Sequence, residues 1–126
     1  MDEAEQQYKR GLVLREAGDV DGCIAALEAA SQAPKLRFVT ASMLARIFRE
    51  REMNRQAVEW FEKAAQAPAP TAEEGHDLLY ELADALEREG EIARALAISL
   101  ELQSDAGDYR DVAARIDRLT KVQARG

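Results

Sequence analysis

The sequence contains little cysteine, proline or aromatic residue, and each shortage excludes a class of structure. Cys23 is its only cysteine, so no internal disulfide and no cluster of thiolate metal ligands can form. A single thiol suits a reducing compartment, and we expect a cytoplasmic protein. Three prolines in 126 residues leave long stretches of chain able to form helices.

Positive charge is also in short supply. Lys and Arg number 17 against 24 Asp and Glu, which gives a net charge of -7 and a pI of about 4.8. A nucleic-acid-binding protein needs a basic surface, and an anionic membrane attracts one, so we expect neither partner. The first residues are polar and acidic without a signal-peptide apolar run, and no stretch approaches the roughly 18 apolar residues of a membrane-spanning helix.

Alanine and leucine make up most of the apolar content. Hydrophobic residues are 47% of the chain and aromatic residues only 6%. Alanine and leucine have high helix propensity, and the small alanine side chain lets helices approach closely. With 33% charged residues, this composition predicts a soluble all-α protein.

A helical unit recurs along the chain. "RGLVLREAGDVDGCIAALEAA" aligns with "LARIFREREMNRQAVEWFEKAA" at an offset of 34 residues, and "LADALEREGEIARALAISLEL" follows as a third copy after about four extra residues. Small residues fall on small ones and large on large. The predicted helices are 3–17, 21–32, 36–51, 55–67, 72–89, 92–103 and 108–123.

Local signals for the ends of helices support these units. Gly18 and Gly90 each close a first helix, because glycine readily adopts the left-handed conformation. Asp19 or Asp21 and Asn54 stand where second helices begin and are good N-cap residues. Thr71 with Glu74 forms a capping-box pattern for the third unit. Pro34, Pro68 and Pro70 lie between units.

The last predicted helix has a capping role. "DYRDVAARIDRL" places apolar residues on one stripe and charged ones elsewhere, as a terminal helix requires. We expect the tail "KVQARG" to fray. The first unit begins almost at Met1 without such a cap. We expect either that the chain is the C-terminal part of a longer array, or that a partner or second copy covers that end.

The repeats resemble the tetratricopeptide repeat, whose signature combines W-x₂-L-G-x₂-Y with A-x₃-F and P over 34 residues. The second copy matches it best, with Leu44, Ala45 and Phe48 followed by Ala57, Phe61 and Ala64. The resemblance covers nearly the whole chain. It implies a right-handed α-solenoid of three helix-turn-helix hairpins in one domain over 1–126, with repeats at about 4–35, 36–70 and 72–104 and a capping helix at about 108–123.

The resemblance also implies a partner-binding groove lined by the first helix of each hairpin. Arg15, Arg46 and Arg49 would make it basic at the first two hairpins, and Asp77, Asp84 and Glu87 acidic at the third. Asp77 and Glu81 stand where some members carry carboxylate-binding residues, which disfavours a clamp for a C-terminal tail. The groove residues we select are Tyr8, Leu12, Arg15, Ser42, Arg46, Arg49, Tyr80, Asp84 and Glu87.

Catalytic and metal-binding chemistry has little support in the sequence. His76 lies beside Asp77 but has no serine or cysteine placed to work with it, and we interpret it as a surface histidine. Cys23 stands at a small-residue packing position and is expected to be a buried, inert thiol. There is no glycine-rich phosphate-binding loop. We predict no enzyme activity, no cofactor and no metal site.

Function is therefore expected to reside on a surface. The main hypothesis is a non-catalytic interaction module that binds a partner protein or peptide in the groove, as a scaffold or adaptor similar to bacterial repeat proteins of cell organisation, motility or secretion. The alternative is a structural assembly element that self-associates through its N-terminal end or its convex face.

Overall fold

A computed structural model describes residues 2–126 of the protein, and that part of the chain contains α-helices and no β-strand. Each predicted helix is present, with ends that differ by a few residues. Within the described range no helix combines the length and the apolar character needed to cross a bilayer. The helices are α1 (Glu3–Glu16), α2 (Val20–Ala30), α3 (Pro34–Glu50), α4 (Asn54–Ala65), α5 (Ala72–Arg88), α6 (Ile92–Ala106) and α7 (Val112–Arg125).

The helices form two compact units, one ending at Ala69 and one beginning at Pro70. The N-terminal unit contains the hairpins α1–α2 and α3–α4. The C-terminal unit contains the hairpin α5–α6 followed by α7, which packs on α6. The prediction of a single domain over 1–126 stays a prediction.

Small residues bring the two helices of a hairpin together, as the repeat pattern predicts. Gly11 on α1 is buried, and a Cβ atom added there would lie 2.9 Å from Leu27 Cδ2 on α2. Ala45 on α3 and Ala57 on α4 are both fully buried in the second hairpin. A larger side chain at any of these places would have to displace a packed neighbour, because the interior is already close-packed.

Each hairpin turns through a residue in the left-handed conformation. Gly18 and Gly90 have φ values of 82° and 83°, and Glu52 stands at the same place in the second hairpin with φ 60°. In all three turns the next residue donates a backbone hydrogen bond of 2.9 Å to a carbonyl in the last turn of the first helix. The turn geometry is therefore conserved between hairpins, but Glu52 adopts it with a side chain that makes this conformation costly.

Two of the predicted helix caps are present and one is not. Asp19 accepts a hydrogen bond of 2.9 Å from the Gly22 backbone N–H at the start of α2. Thr71 Oγ1 accepts one of 3.1 Å from the Glu74 backbone N–H at the start of α5. Asn54 was expected to cap α4 but is its first helical residue, and no side chain caps that helix. The expectation for Asn54 was wrong by one position.

The C-terminal helix differs from its prediction at both ends. Arg110 has a positive φ of 44°, which bends the chain and delays α7 to Val112 instead of residue 108. The helix continues to Arg125, so the tail expected to fray is helical. Val112 and Leu119 are buried as the apolar stripe predicts. Arg115 is buried as well, although the sequence placed it on the polar side.

Candidate partner-binding surface

The predicted groove residues of α1 are accessible. Leu12 is 36% exposed, and the neighbouring Val13 is 67% exposed. Arg15 is exposed and Tyr8 is half-buried. Arg15 lies one turn after Leu12 on the same side of α1, so an apolar and a basic side chain are neighbours there. Helix α1 therefore presents an apolar and basic surface.

The predicted groove residues of α3 are less accessible. Ser42 is 2% exposed, and its hydroxyl donates a hydrogen bond of 2.6 Å to the Phe38 carbonyl one turn earlier. That removes Ser42 from the surface a partner can reach. Arg46 and Arg49 are half-buried, and the guanidinium carbon of Arg49 lies 5.7 Å from the centre of the Phe61 ring. Arg49 consequently has a packing role in addition to its charge.

A cavity of about 250 Å³ adjoins Arg15 in the N-terminal unit. Apolar atoms of Val20 and Ile47 contribute to its lining, and charged side chains contribute the rest. Cys23 also lines it, and burial raises the pKa of this thiol, which favours its protonated form. The cavity could hold an apolar side chain of a bound segment. Its lining residues are Arg15, Val20, Cys23, Ile47, Glu50 and Arg51.

In the C-terminal unit, the predicted acidic residues of α5 are bound by the chain itself. The Arg115 guanidinium on α7 donates hydrogen bonds of 2.6 Å to Glu87 and 3.2 Å to Asp84. Arg118, one turn later, donates bonds of 2.8 and 3.1 Å to the two carboxylate oxygens of Glu87. Asp84 and Glu87 are spaced by three residues, as are Arg115 and Arg118, so the two pairs match along facing helices.

The segment before α7 continues this network. The Tyr80 hydroxyl donates a hydrogen bond of 2.6 Å to Asp111. Asp77 accepts hydrogen bonds from the Tyr109 hydroxyl and, at 3.1 Å, from Arg110. The guanidinium of Arg110 lies 4.9 Å from the centre of the Tyr80 ring. Three carboxylates of α5 are thus each paired with at least one arginine that follows α6.

These contacts shift the pKa values of the groups involved. The hydrogen bond from Tyr80 lowers the pKa of Asp111. Burial of Arg115 disfavours its charged form, but hydrogen bonding with Tyr80 and Asp84 outweighs burial and raises its pKa. The bonds to Glu87 raise the pKa of Arg118. Each of these three shifts favours the charged form of its own group.

The sequence predicted that Asp84 and Glu87 contact a partner protein. It did not predict that Arg115 and Arg118 of α7 bind them. The matched spacing of Asp84 with Glu87 and of Arg115 with Arg118 was the available signal. It indicates pairing only once the two helices are known to face each other. The ring of His76, expected at the surface, is half-buried, and its centre lies 6.0 Å from that of Tyr109. Among residues 2–126 no group of three or more His, Cys, Asp or Glu side chains is placed to hold a metal ion.

Known proteins resemble this chain in structure. No family model matches the sequence, and no curated protein matches it either. Among solved structures, the N-terminal domain of stress-induced protein-1 (STI-1) from C. elegans superposes with a TM-score of 0.74 at 13% sequence identity. The match covers 93% of this chain and 94% of that one. It confirms the all-α fold of tetratricopeptide-repeat type that the repeat pattern predicts.

Proposed function

We propose that the protein is a non-catalytic interaction module that binds a segment of a partner protein on its N-terminal unit. The α1/α3 surface, which we define as Tyr8, Leu12, Arg15, Arg46 and Arg49, is the proposed contact. One observation carries the proposal: α1 exposes Leu12 one turn before Arg15, and Arg15 lines a cavity with both apolar and charged walls. The tetratricopeptide-type fold, common among interaction modules, supports it.

The side chains of the α1/α3 surface favour a particular partner chemistry. Three of its five members are arginines, in a chain whose net charge is -7. Arginine and tyrosine are over-represented among the residues that dominate binding energy at interfaces. An acidic segment that inserts an aliphatic side chain into the cavity beside Arg15 would pair charge with charge and bury Leu12. Charge complementarity would chiefly determine its association rate and specificity.

The predicted residues of the C-terminal unit have a secondary place in this proposal. A partner that reaches Tyr80, Asp84 or Glu87 must compete with Arg115 and the residues next to it. We therefore propose that the partner first contacts the α1/α3 surface. Tyr80, Asp84 and Glu87 contribute only if the partner also accommodates the residues that already bind them. A scaffold or adaptor in the cytoplasm of a bacterium is the setting we propose.

Peptide selection tests the proposal directly. A displayed library of random peptides is enriched on the wild-type protein, and the affinity of the enriched peptides is measured by fluorescence anisotropy. We expect acidic sequences with an aliphatic residue. Leu12→Asp combined with Arg15→Glu should weaken them by roughly a hundredfold, the effect of losing two interface contacts of about 1.4 kcal/mol each.

The matched control is Arg10→Glu, which reverses a charge at another exposed position of α1. It should change affinity by less than about twofold, as a charge outside the contact does. Arg46→Glu with Arg49→Glu should also abolish binding. Because Arg49 packs on Phe61, this pair is interpreted only if its circular dichroism melting curve matches wild type. Enrichment of no peptide, or equal binding by the Leu12 and Arg15 double variant, would exclude the surface.

Self-association is the second candidate function, and the exposure of Val13 favours it. A second copy covering α1 would bury Val13 and Leu12 together. Size-exclusion chromatography with light scattering distinguishes the two functions. A dimer that becomes monomeric on Val13→Glu would favour assembly, whereas a wild-type monomer would favour the interaction module.

A further inference from the structure

A second cavity, of about 420 Å³, lies in the N-terminal unit among the C-terminal ends of α2 and α4 and the first turn of α3. Its volume falls in the range of about 300 to 1,000 Å³ typical of ligand sites. No residue of the α1/α3 surface lines it. We call it the Trp60 cavity, and its lining residues are Ser31, Gln32, Arg37, Trp60, Lys63 and Gln66.

Internal contacts hold two cations in the Trp60 cavity. Arg37 donates a hydrogen bond of 3.0 Å from Nε to the Ser31 carbonyl and one of 2.9 Å from Nη2 to the Gln32 carbonyl. These bonds fix the guanidinium at the end of α2 and leave further N–H groups for another acceptor. The Lys63 ammonium lies 4.0 Å from the centre of the Trp60 ring, a cation–π contact. The Arg37 guanidinium is therefore held in place before any ligand arrives, which lowers the entropic cost of binding, and the exposed Lys63 ammonium lies beside the ring.

The charge of the cavity is opposite to that of the chain. Its lining includes Arg37 and Lys63 and no carboxylate, although the whole sequence has 24 acidic residues against 17 basic ones. The amides of Gln32 and Gln66 supply neutral donors and acceptors. Trp60, the only tryptophan, stands half-buried in the cavity instead of in the core. A tryptophan and an arginine in one concave site are the residue types that anchor interfaces.

We propose that the Trp60 cavity is a second docking site, which binds a carboxylate-bearing segment of a partner protein. Acidic side chains of the segment pair with Arg37 and Lys63, and its neighbouring apolar atoms pack on the exposed part of Trp60. The glutamines bond the backbone of the segment. Charge complementarity identifies the occupant, because the lining provides two cations and no carboxylate. This site is separate from the α1/α3 surface and goes beyond the proposed function.

The single tryptophan makes the test specific to this cavity. The protein is titrated with a short acetylated and amidated peptide of glutamate, leucine and serine, and the emission of Trp60 is followed. The matched peptide has glutamine in place of each glutamate. We expect a saturable change in emission with the glutamate peptide and an affinity at least roughly tenfold lower for the glutamine peptide, because each lost charged pair weakens binding by about that factor.

Variants separate the cavity from the rest of the surface. Lys63→Gln should weaken the glutamate peptide by roughly tenfold, compared through dissociation constants because the variant also alters the resting emission. The matched control is Lys9→Gln, an exposed lysine on α1 that should leave the affinity unchanged. Arg37→Gln should weaken binding by a similar factor. Since Arg37 also holds α2 carbonyls, its melting temperature is measured first.

Each outcome of these experiments supports or overturns the second docking site. An absent or unsaturable emission change, equal binding of the two peptides, or an unchanged affinity in Lys63→Gln would overturn the proposal. The same emission change with inorganic phosphate at comparable concentration would also overturn it, in favour of a small-anion site. The Leu12→Asp and Arg15→Glu variant should retain the response of Trp60. If that variant loses the response, the peptide binds at the α1/α3 surface and the cavity is not a second site.

Discussion

Helices α1 and α5 occupy equivalent places in the repeat, yet their predicted groove residues have different roles. On α1, Leu12 is 36% exposed and Arg15 is exposed. On α5, Asp84 and Glu87 are hydrogen-bonded to Arg115, whose side chain is 6% exposed. A repeat position determines which way a side chain points, but not whether another part of the chain already binds it.

The ion pairs of the two helices show the same contrast. At the start of α1, Lys35 approaches Asp2 at 2.8 Å and Glu5 at 2.5 Å, with its own side chain 57% exposed. These bonds raise the pKa of Lys35 above its ordinary range, but water competes for all three groups. The network on α5 surrounds a nearly buried guanidinium. Only in this network is one of the charged groups nearly buried, so the two networks should differ in their effect on stability.

The largest predicted effect tests the close packing that both units share. Ala57→Arg in the N-terminal unit and Ala95→Arg in the C-terminal unit each replace a fully buried alanine with a long cation. We expect a loss of about 4 kcal/mol or more, enough to unfold the affected unit. Circular dichroism melting measures it. Ala65→Arg, at an exposed position of α4, is the control. Wild-type melting of Ala57→Arg would refute the hairpin packing.

The second effect compares the buried and exposed ion networks. Arg115→Ala should destabilise the protein by about 2 kcal/mol, because a nearly buried guanidinium and its charged hydrogen bonds to Asp84 and Glu87 are lost. Lys35→Ala should leave the urea denaturation midpoint unchanged. Both are measured by urea denaturation. Equal midpoint shifts for the two variants would mean that burial does not distinguish the networks.

A smaller effect concerns the two tyrosines at equivalent repeat positions. Tyr80→Phe removes the hydrogen bond to Asp111 and should cost about 0.5 to 1 kcal/mol at neutral pH, discounted for its exposure to water. Tyr8→Phe is the matched change on α1 and should be neutral.

The effect of Tyr80→Phe should depend on pH in one direction. The folded pKa of Asp111 is lowered, so its contribution is present above the ordinary aspartate pKa and is lost as the pH falls through the folded value. Wild type and Tyr80→Phe should therefore converge in stability when urea denaturation is repeated in acid. A stability difference that grows on acidification would mean that Tyr80 bonds the protonated form of the Asp111 carboxyl instead.

The smallest predicted effect compares the hairpin turns. Glu52→Gly should stabilise the protein by about 0.5 kcal/mol, because relief of the left-handed strain exceeds the added entropy of the unfolded chain. Gly18→Ala and Gly90→Ala, at equivalent turns, should each destabilise it by about 1 kcal/mol. Thermal denaturation measures all three. Destabilisation by Glu52→Gly would show that the glutamate side chain makes a contact worth more than the strain.

Features encoded by neighbouring residues could be predicted from the sequence. Gly18 and Gly90 end helices, Asp19 begins one, and both prolines after α4 lie between helices, because each acts through its own backbone or through a partner within a turn. Asn54 was misplaced by one residue, since α4 begins directly after Met53, whose side chain cannot cap the helix.

The candidate surface could be predicted only in part. Leu12 and Arg15 are accessible where the repeat register places them. Ser42 stands at the repeat position of Tyr8, 34 residues later, but lies in the core, where its hydroxyl donates a hydrogen bond to the Phe38 carbonyl. The repeat position determines on which side of its own helix a side chain lies. Its burial depends on whether another element packs on that side.

The amino-acid order alone determined the hairpin repeat, the helices and their turns. Small residues that recur every 34 residues mark the repeat, and glycine ends a helix through its own backbone. Only the tertiary structure decided that Arg115 is buried against Asp84 and Glu87, and that Trp60 stands with Arg37 and Lys63 in a cavity. Each group joins residues of two helices: α7 with α5 in the first, and α3 with α4 in the second. Their free energies depend on how closely those helices approach and how much water they exclude, which no local pattern encodes.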